Sequence, residues 1–148
     1  MARAALFLLA ALIAQTPPGE KKESKPVAIN IYVIEADKKS SDFDDKLKDL
    51  KNAMPGYSGA KILDELNTKV EEGSSVSLEI MRRSGEARLM KVTVLDVDNE
   101  GTVKLHIAID ELKFSSDTTH KKGARLVVGK ALSDTKALFL AVKPNSSP

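Results

Sequence analysis

Two histidines, no cysteine and a thin scatter of adjacent carboxylates are the chemically useful side chains of this 148-residue chain. The lack of Cys excludes thiol catalysis, thiolate-held zinc, disulfides and a lipobox-type lipoprotein Cys. His106 and His120 do not form the H-x-x-x-H spacing that puts two imidazoles on one face of a helix. His106 alternates onto the polar side of an apolar/polar run and reads as a solvated strand residue. His120 stands beside Lys121 and Lys122 and reads as a loop residue in a Lys-rich turn. No G-x-S-x-G elbow, Walker loop or dinucleotide fingerprint occurs. A Ser–His–Asp set would have to be gathered in space from distant positions, and no local spacing points to one.

The carboxylates fare no better. Asp96, Asp98 and Glu100 followed by Gly101 imitate the opening of a calcium loop, but Ile107 stands where that loop needs its bidentate Glu. The flanks alternate as strands do, so the stretch reads as an acidic hairpin tip. Asp64-Glu65 and Asp110-Glu111 are adjacent pairs, and neighbours on a strand point to opposite faces. Neither pair can then act together on one glycosidic bond. Lys121 and Lys122 with Arg125 form a small basic patch on a turn, read as a solvated hairpin tip. No catalytic, cofactor-binding or metal-ligating residue is assigned, and no cofactor is expected.

The elements carrying these residues are mostly of period two. Val27, Ile29, Ile31 and Val33 make one apolar face, with Asn30, Tyr32 and Ile34 on the other. Val76, Leu78 and Ile80 alternate with Ser75, Ser77 and Glu79. Val103, Leu105, Ile107 and Ile109 alternate with Thr102, Lys104, His106 and Ala108, the cleanest amphipathic strand in the chain. The face of Met90, Val92 and Val94 slips in phase to Leu95 and Val97, which predicts a β-bulge or a bend from one sheet to another. Leu112 with Phe114, and Leu126 with Val128, give two shorter strands. Ala137–Val142 is apolar on both faces and so central or covered. Arg83–Glu86, Asp98–Gly101, Glu71–Gly73 and Lys121–Gly123 are short Gly-containing connectors, as hairpins require. Such short connectors imply antiparallel pairing. One segment departs from this period. Phe43, Leu47, Leu50 and Met54 fall at i, i+4, i+7 and i+11, predicting an amphipathic α-helix of about three turns, capped by Ser41 or Asp42 and stopped by Pro55-Gly56. Ala60–Val70 fits either a helix or a strand.

Arg3 followed by the apolar run Ala4–Ala14 has the form of an export signal, too short to cross a bilayer as a helix. Leu12 and Ala14 make an acceptable cleavage pair before Gln15. The expected organisation is a signal peptide over 1–14, a flexible tether over 15–25, a single β-rich domain over 26–143 and a disordered tail over 144–148. An Asn145-Ser146-Ser147 sequon in that tail is too short a motif to mean much. With 23 basic against 21 acidic residues, no nucleic-acid partner is expected, and scarce aromatics argue against sugar or base stacking. No membrane span is expected after signal cleavage. The expected fold is mainly β, an antiparallel β-sandwich or strongly curved sheet with one amphipathic α-helix after the first strand.

The order Val27–Ala36, DDKLKDL, GYSGAKILDELNTKVEEGSSVSLEI, GTVKLHIAI, KKGARLVVG, ALFLAVKP resembles a family of small exported bacterial β-rich proteins of unassigned function. It spans about 120 residues and carries no family active site to transfer. The stretch Lys122–Gly129 followed by a final apolar strand is similar to the C-terminal strands of the secretin domain. Here Lys130 replaces that family's second Gly, and the chain lacks the length for its membrane-inserted hairpins. The leader, with the first resemblance, implies an exported, periplasmic or extracellular protein. The expected function is non-enzymatic: an interaction or accessory module of the bacterial periplasm or cell envelope, with another envelope protein as partner. The alternative is a small hydrolase or ligand-binding protein whose site is assembled from distant residues. Export has a direct check. The intact mass of protein recovered from its native host should correspond to a chain starting at or near Gln15, and an uncleaved cytoplasmic product would refute the leader.

Overall fold

A computed structural model describes residues 26–81 and 87–146, and within them the alternating runs become eight strands. These are β1 (Pro26–Asp37), β2 (Gly59–Glu71), β3 (Ser75–Ile80), β4 (Arg88–Val97), β5 (Val103–Ile109), β6 (Phe114–His120), β7 (Leu126–Ala131) and β8 (Lys136–Ser146). The leader Met1–Ala14, the tether Gln15–Lys25 and the Arg83–Glu86 connector lie outside the described residues. All pairings are antiparallel, in two four-stranded sheets ordered β2-β1-β8-β7 and β3-β4-β5-β6. The sheets pack face to face around one core, to which the first contributes Val27, Ile29, Ile31 and Leu140 and the second Met90, Val92, Leu105 and Ile107. The fold is an antiparallel β-sandwich, as the alternation predicts.

The strand order hides a simpler one. From β1 round to β8 every strand lies beside its neighbour in sequence, and β8 returns to pair with β1. That is the order of an up-and-down barrel, opened at two seams, β2/β3 and β6/β7, where no ladder forms. The Glu71–Gly73 and Lys121–Gly123 connectors therefore change sheets rather than close hairpins. At the first seam side chains replace the missing ladder: Met81 N donates to Asp64 Oδ2 at 2.7 Å, and Val97 N donates to Glu72 Oε2 at 2.9 Å.

Two bulges set which side chains reach the core. On β2 the partner of β1 jumps from Asp64 at Val33 to Ile62 at Ile34, leaving Leu63 as the extra residue. Ala60–Val70 is thus strand, but Ile62 packs on the outer side of the first sheet, while Leu66 and Val70 pack between the sheets. On β4, Leu95 is skipped between Val94 and Asp96, so the phase slip is a bulge and the strand stays in its sheet. Leu95 is 49% exposed, and Val97 returns to the core at 6%.

The amphipathic segment differs from expectation in its pitch. It is a 3-10 helix over Asp45–Ala53, with Leu47 N donating to Asp44 O at 2.9 Å and Met54 N to Lys51 O at 3.1 Å. Its cap is Asp44, whose carboxylate accepts from Lys46 N, rather than Ser41 or Asp42. Phe43 is held by a bridge to Ala60 just before the helix starts. A 3-10 helix rises about 2.0 Å per residue against 1.5 Å for an α-helix, so the same residues cover more of the sheet below. Both geometries align i and i+3, so the apolar stripe survives: Leu47 and Met54 are buried, with Phe43 and Leu50 beside them, against Ile34, Ala36 and Ala141. The helix thus covers the outer face of the first sheet at the end that holds Ile34 and Ala36.

Three further expectations are corrected. Leu112 belongs to a short 3-10 turn, Asp110–Leu112, and the following strand starts at Phe114 after Lys113 at φ 54°. The domain does not stop at residue 143. Pro144–Ser146 continue β8, paired with Ile29, Ala28 and Val27. His120 is no loop residue, being the fully buried last residue of β6.

Leu105 is fully buried and Lys104 exposed. Leu105→Ala should therefore cost about 2–5 kcal/mol, and Lys104→Ala should stay within about 0.5 kcal/mol. Urea melts of both variants test this, and similar losses at the two positions would contradict the strand phase.

Candidate functional site

The outer face of the second sheet carries the chain's most chemically suggestive row. Register places Ser75 opposite Thr93, Thr93 opposite His106, and His106 opposite Asp117, one residue from each of β3, β4, β5 and β6. Ser75 Oγ and Thr93 Oγ1 share a hydrogen bond at 2.7 Å. His106 Nδ1 meets Asp117 Oδ1 at 2.5 Å. The row exists because each member occupies the polar phase of its strand while the alternate residues, Val76, Val92, Val94, Leu105 and Ile107, fill the core.

A carboxylate on Nδ1 fixes the imidazole's orientation, as in a Ser–His–Asp set. The surroundings are those of an open surface. The His106 side chain is 39% exposed and that of Asp117 73%. On neighbouring rows lie Ser77, Lys91 and Ser115, all exposed, and Leu89 stands out at 61% exposed. Electrostatic stabilisation of a reacting oxyanion needs preorganised donors in a water-excluding site. This face offers a periodic display of hydroxyls, an imidazole and charges, suited to hydrogen-bonding a second surface.

The other predicted groups separate. Asp64 turns toward Met81 N at the seam. Glu65 points away, accepting from Lys46 Nζ at 3.2 Å and Asn30 Nδ2 at 3.3 Å. The Lys46 hydrogen bond, then that from Asn30, hold the exposed Glu65 carboxyl below its ordinary range. Asp98 closes its turn by accepting from Glu100 N and Thr102 N, both at 2.9 Å, and these backbone donors, Thr102 foremost, lower its pKa. The calcium-like stretch is a hairpin tip. Arg125 leaves the basic patch altogether. Its guanidinium donates to Asn30 Oδ1 at 2.8 Å and Ala141 O at 3.1 Å and lies 4.3 Å over the Tyr32 ring. Among the described residues no three His, Asp or Glu side chains gather as for a metal ion. A polar depression of about 210 Å³, with Glu35, Asp37, Asp42, Lys61 and Lys136 on its walls, opens at the first sheet, away from His106.

The residue that pattern reading missed is His120. Its Nε2 shares a 2.7 Å hydrogen bond with Thr118 Oγ1, and these two are the buried polar residues of the described core. Burial pushes the imidazole below its ordinary value, and the Ala124 backbone opposes this less strongly. A depressed folded-state pKa means that the unfolded chain takes up the proton first. Stability is then full above about pH 6.5, the unfolded value, and falls as pH drops below it. Thermal melts between pH 7.5 and pH 5 should show that fall, and His120→Gln should remove part of it. Parallel slopes for both proteins would refute the assignment.

No family model matches this sequence, and no curated protein or solved structure matches it.

Proposed function

We propose that this chain is an exported, non-enzymatic interaction or accessory module of the bacterial periplasm or cell envelope, which uses the outer face of its second sheet to bind another envelope protein. The observation that carries the reading is the Ser75–Thr93–His106–Asp117 row on an open face. A wide polar surface flanked by exposed Leu89 and Leu95 has the mixed character of a non-obligate interface. The apolar leader supports the location. No helix among the described residues is long and apolar enough to cross a membrane.

A second reading, a small hydrolase built from distant residues, draws on one specific contact, the Asp117 carboxylate on His106 Nδ1. General acid–base work would require substrate held within hydrogen-bond reach of the imidazole.

The chain has no Cys, so a single introduced thiol labels one place only. Ser77→Cys on the proposed face and Lys48→Cys on the 3-10 helix, each carrying a thiol-directed crosslinker in the native envelope, separate the surfaces. A discrete crosslinked product is expected from Ser77→Cys and none from Lys48→Cys. His106→Gln should leave the thermal melt unchanged within about 0.5 kcal/mol and weaken the Ser77→Cys crosslink. Equal crosslinking from both positions would remove the face from consideration. Loss of the protein's cellular phenotype in His106→Gln, with crosslinking and melt intact, would favour the hydrolase.

A further inference from the structure

The two seams leave four strand edges without a ladder partner, and three are defended. Edge strands avoid unwanted pairing by bulges, inward charges and charged side chains. β2 has the Leu63 bulge, the inward Asp64 and the charges Lys61, Glu65 and Lys69. β3 carries Glu79 and is tied at its end through Met81 to Asp64. β6 follows the left-handed Lys113 and presents Asp117. β7 has only one of these devices, the inward-facing Lys130, and its other side chains are apolar. Its sequence, Leu-Val-Val-Gly-Lys-Ala, contains one charge and no Pro, and its ladder with β8 runs unshifted from Leu126↔Val142 to Ala131↔Ala137.

β7 is also self-complementary about its third residue. Leu126, Val128 and Lys130 share the face that looks between the sheets, paired with Val142, Leu140 and Leu138. Leu126 at one end is 37% exposed. Lys130 at the other end borders an apolar crevice, lined also by Leu112, Phe114, Leu138 and Leu140 and too narrow for a water molecule. A two-fold axis normal to the sheet pairs residues of like face, and centred on Val128 it sets each Leu126 opposite the other copy's Lys130. Each exposed leucine then lies along a lysine stem at the mouth of the other copy's crevice, and no like charges meet. Gly129, beneath the Phe139 ring, comes opposite Val127 on the other face.

We infer that this protein forms a two-fold dimer through antiparallel β7–β7 pairing centred on Val128, joining the two first sheets into one eight-stranded sheet. The outer face of the second sheet takes no part in that contact.

Sedimentation of protein purified from cells expressing the full chain tests this. A dimer is expected at about 100 µM, in the range of small interfaces. Leu126→Lys sets like charges opposite each other and should raise the dissociation constant roughly tenfold or more. Adding Lys130→Glu to that variant makes the crossed pairs Lys–Glu, and dimerisation should return to within about threefold of the original. Far-UV circular dichroism confirms folding of both variants. Amide exchange on the unaltered protein is an independent readout: between dilute and concentrated samples, β7 amides should gain protection while β2 and β3 amides do not. A monomer at about 100 µM, a dimer indifferent to Leu126→Lys, a double variant that stays dissociated, or exchange without concentration dependence in β7 would each overturn the proposal.

Discussion

β1 is buried along its whole inner face and at the Ile34–Ala36 end of its outer face, and the rest of the molecule is arranged to cover it. Its inner row, Val27, Ile29, Ile31 and Val33, requires an opposing sheet. Its outer row, Ile34 and Ala36, requires a second cover, supplied by the 3-10 helix with Leu47 and Met54. Each such Val, Ile, Leu or Met side chain contributes roughly 1.5–3 kcal/mol when taken fully from water, so neither cover can be lost cheaply. The bulge at Leu63 is part of the same solution. It lets β2 send Leu66 and Val70 inward at one end and Ile62 outward at the other, matching β1 along its whole length.

Where β1's outer face is left without the helix, polar groups complete it. Asn30 is bound by Arg125 and donates to Asn67 and Glu65, and Tyr32 lies under the same guanidinium. A buried or half-buried amide needs its partners, since an unpaired one costs about 1–3 kcal/mol. Arg125 is the first residue past the Lys121–Ala124 turn, and its side chain reaches back across β8 to β1, linking the second seam to the central strand.

Much of this was legible in the residue pattern because burial enforces period two. The inner rows of β1 and β5, the two-faced apolar β8 and the slip at Leu95 all follow from which side chains must leave water. The helix pitch was not legible, since Leu47 and Leu50 align in either geometry. The fate of His120 and Arg125 depended on the Lys121–Gly123 turn being a corner between sheets, and a Lys-rich turn looks the same in sequence whichever it is. The polar phase of His106 could be read, but its contact with Asp117 is a matter of register. That register is fixed by the Asp110–Leu112 turn and the left-handed Lys113.

The pairing of β1 with β8 has a consequence for synthesis. A ribosome releases β1 early, yet the partner for its second edge, Lys136–Ser146, follows every other described strand. Until then the nascent sheet has an open side, and an apolar one, beside Ile29 and Ile31. Contacts so distant along the chain form slowly even once both strands exist. Pairing β1 with β8 therefore postpones closure of the first sheet until its most distant strand is available.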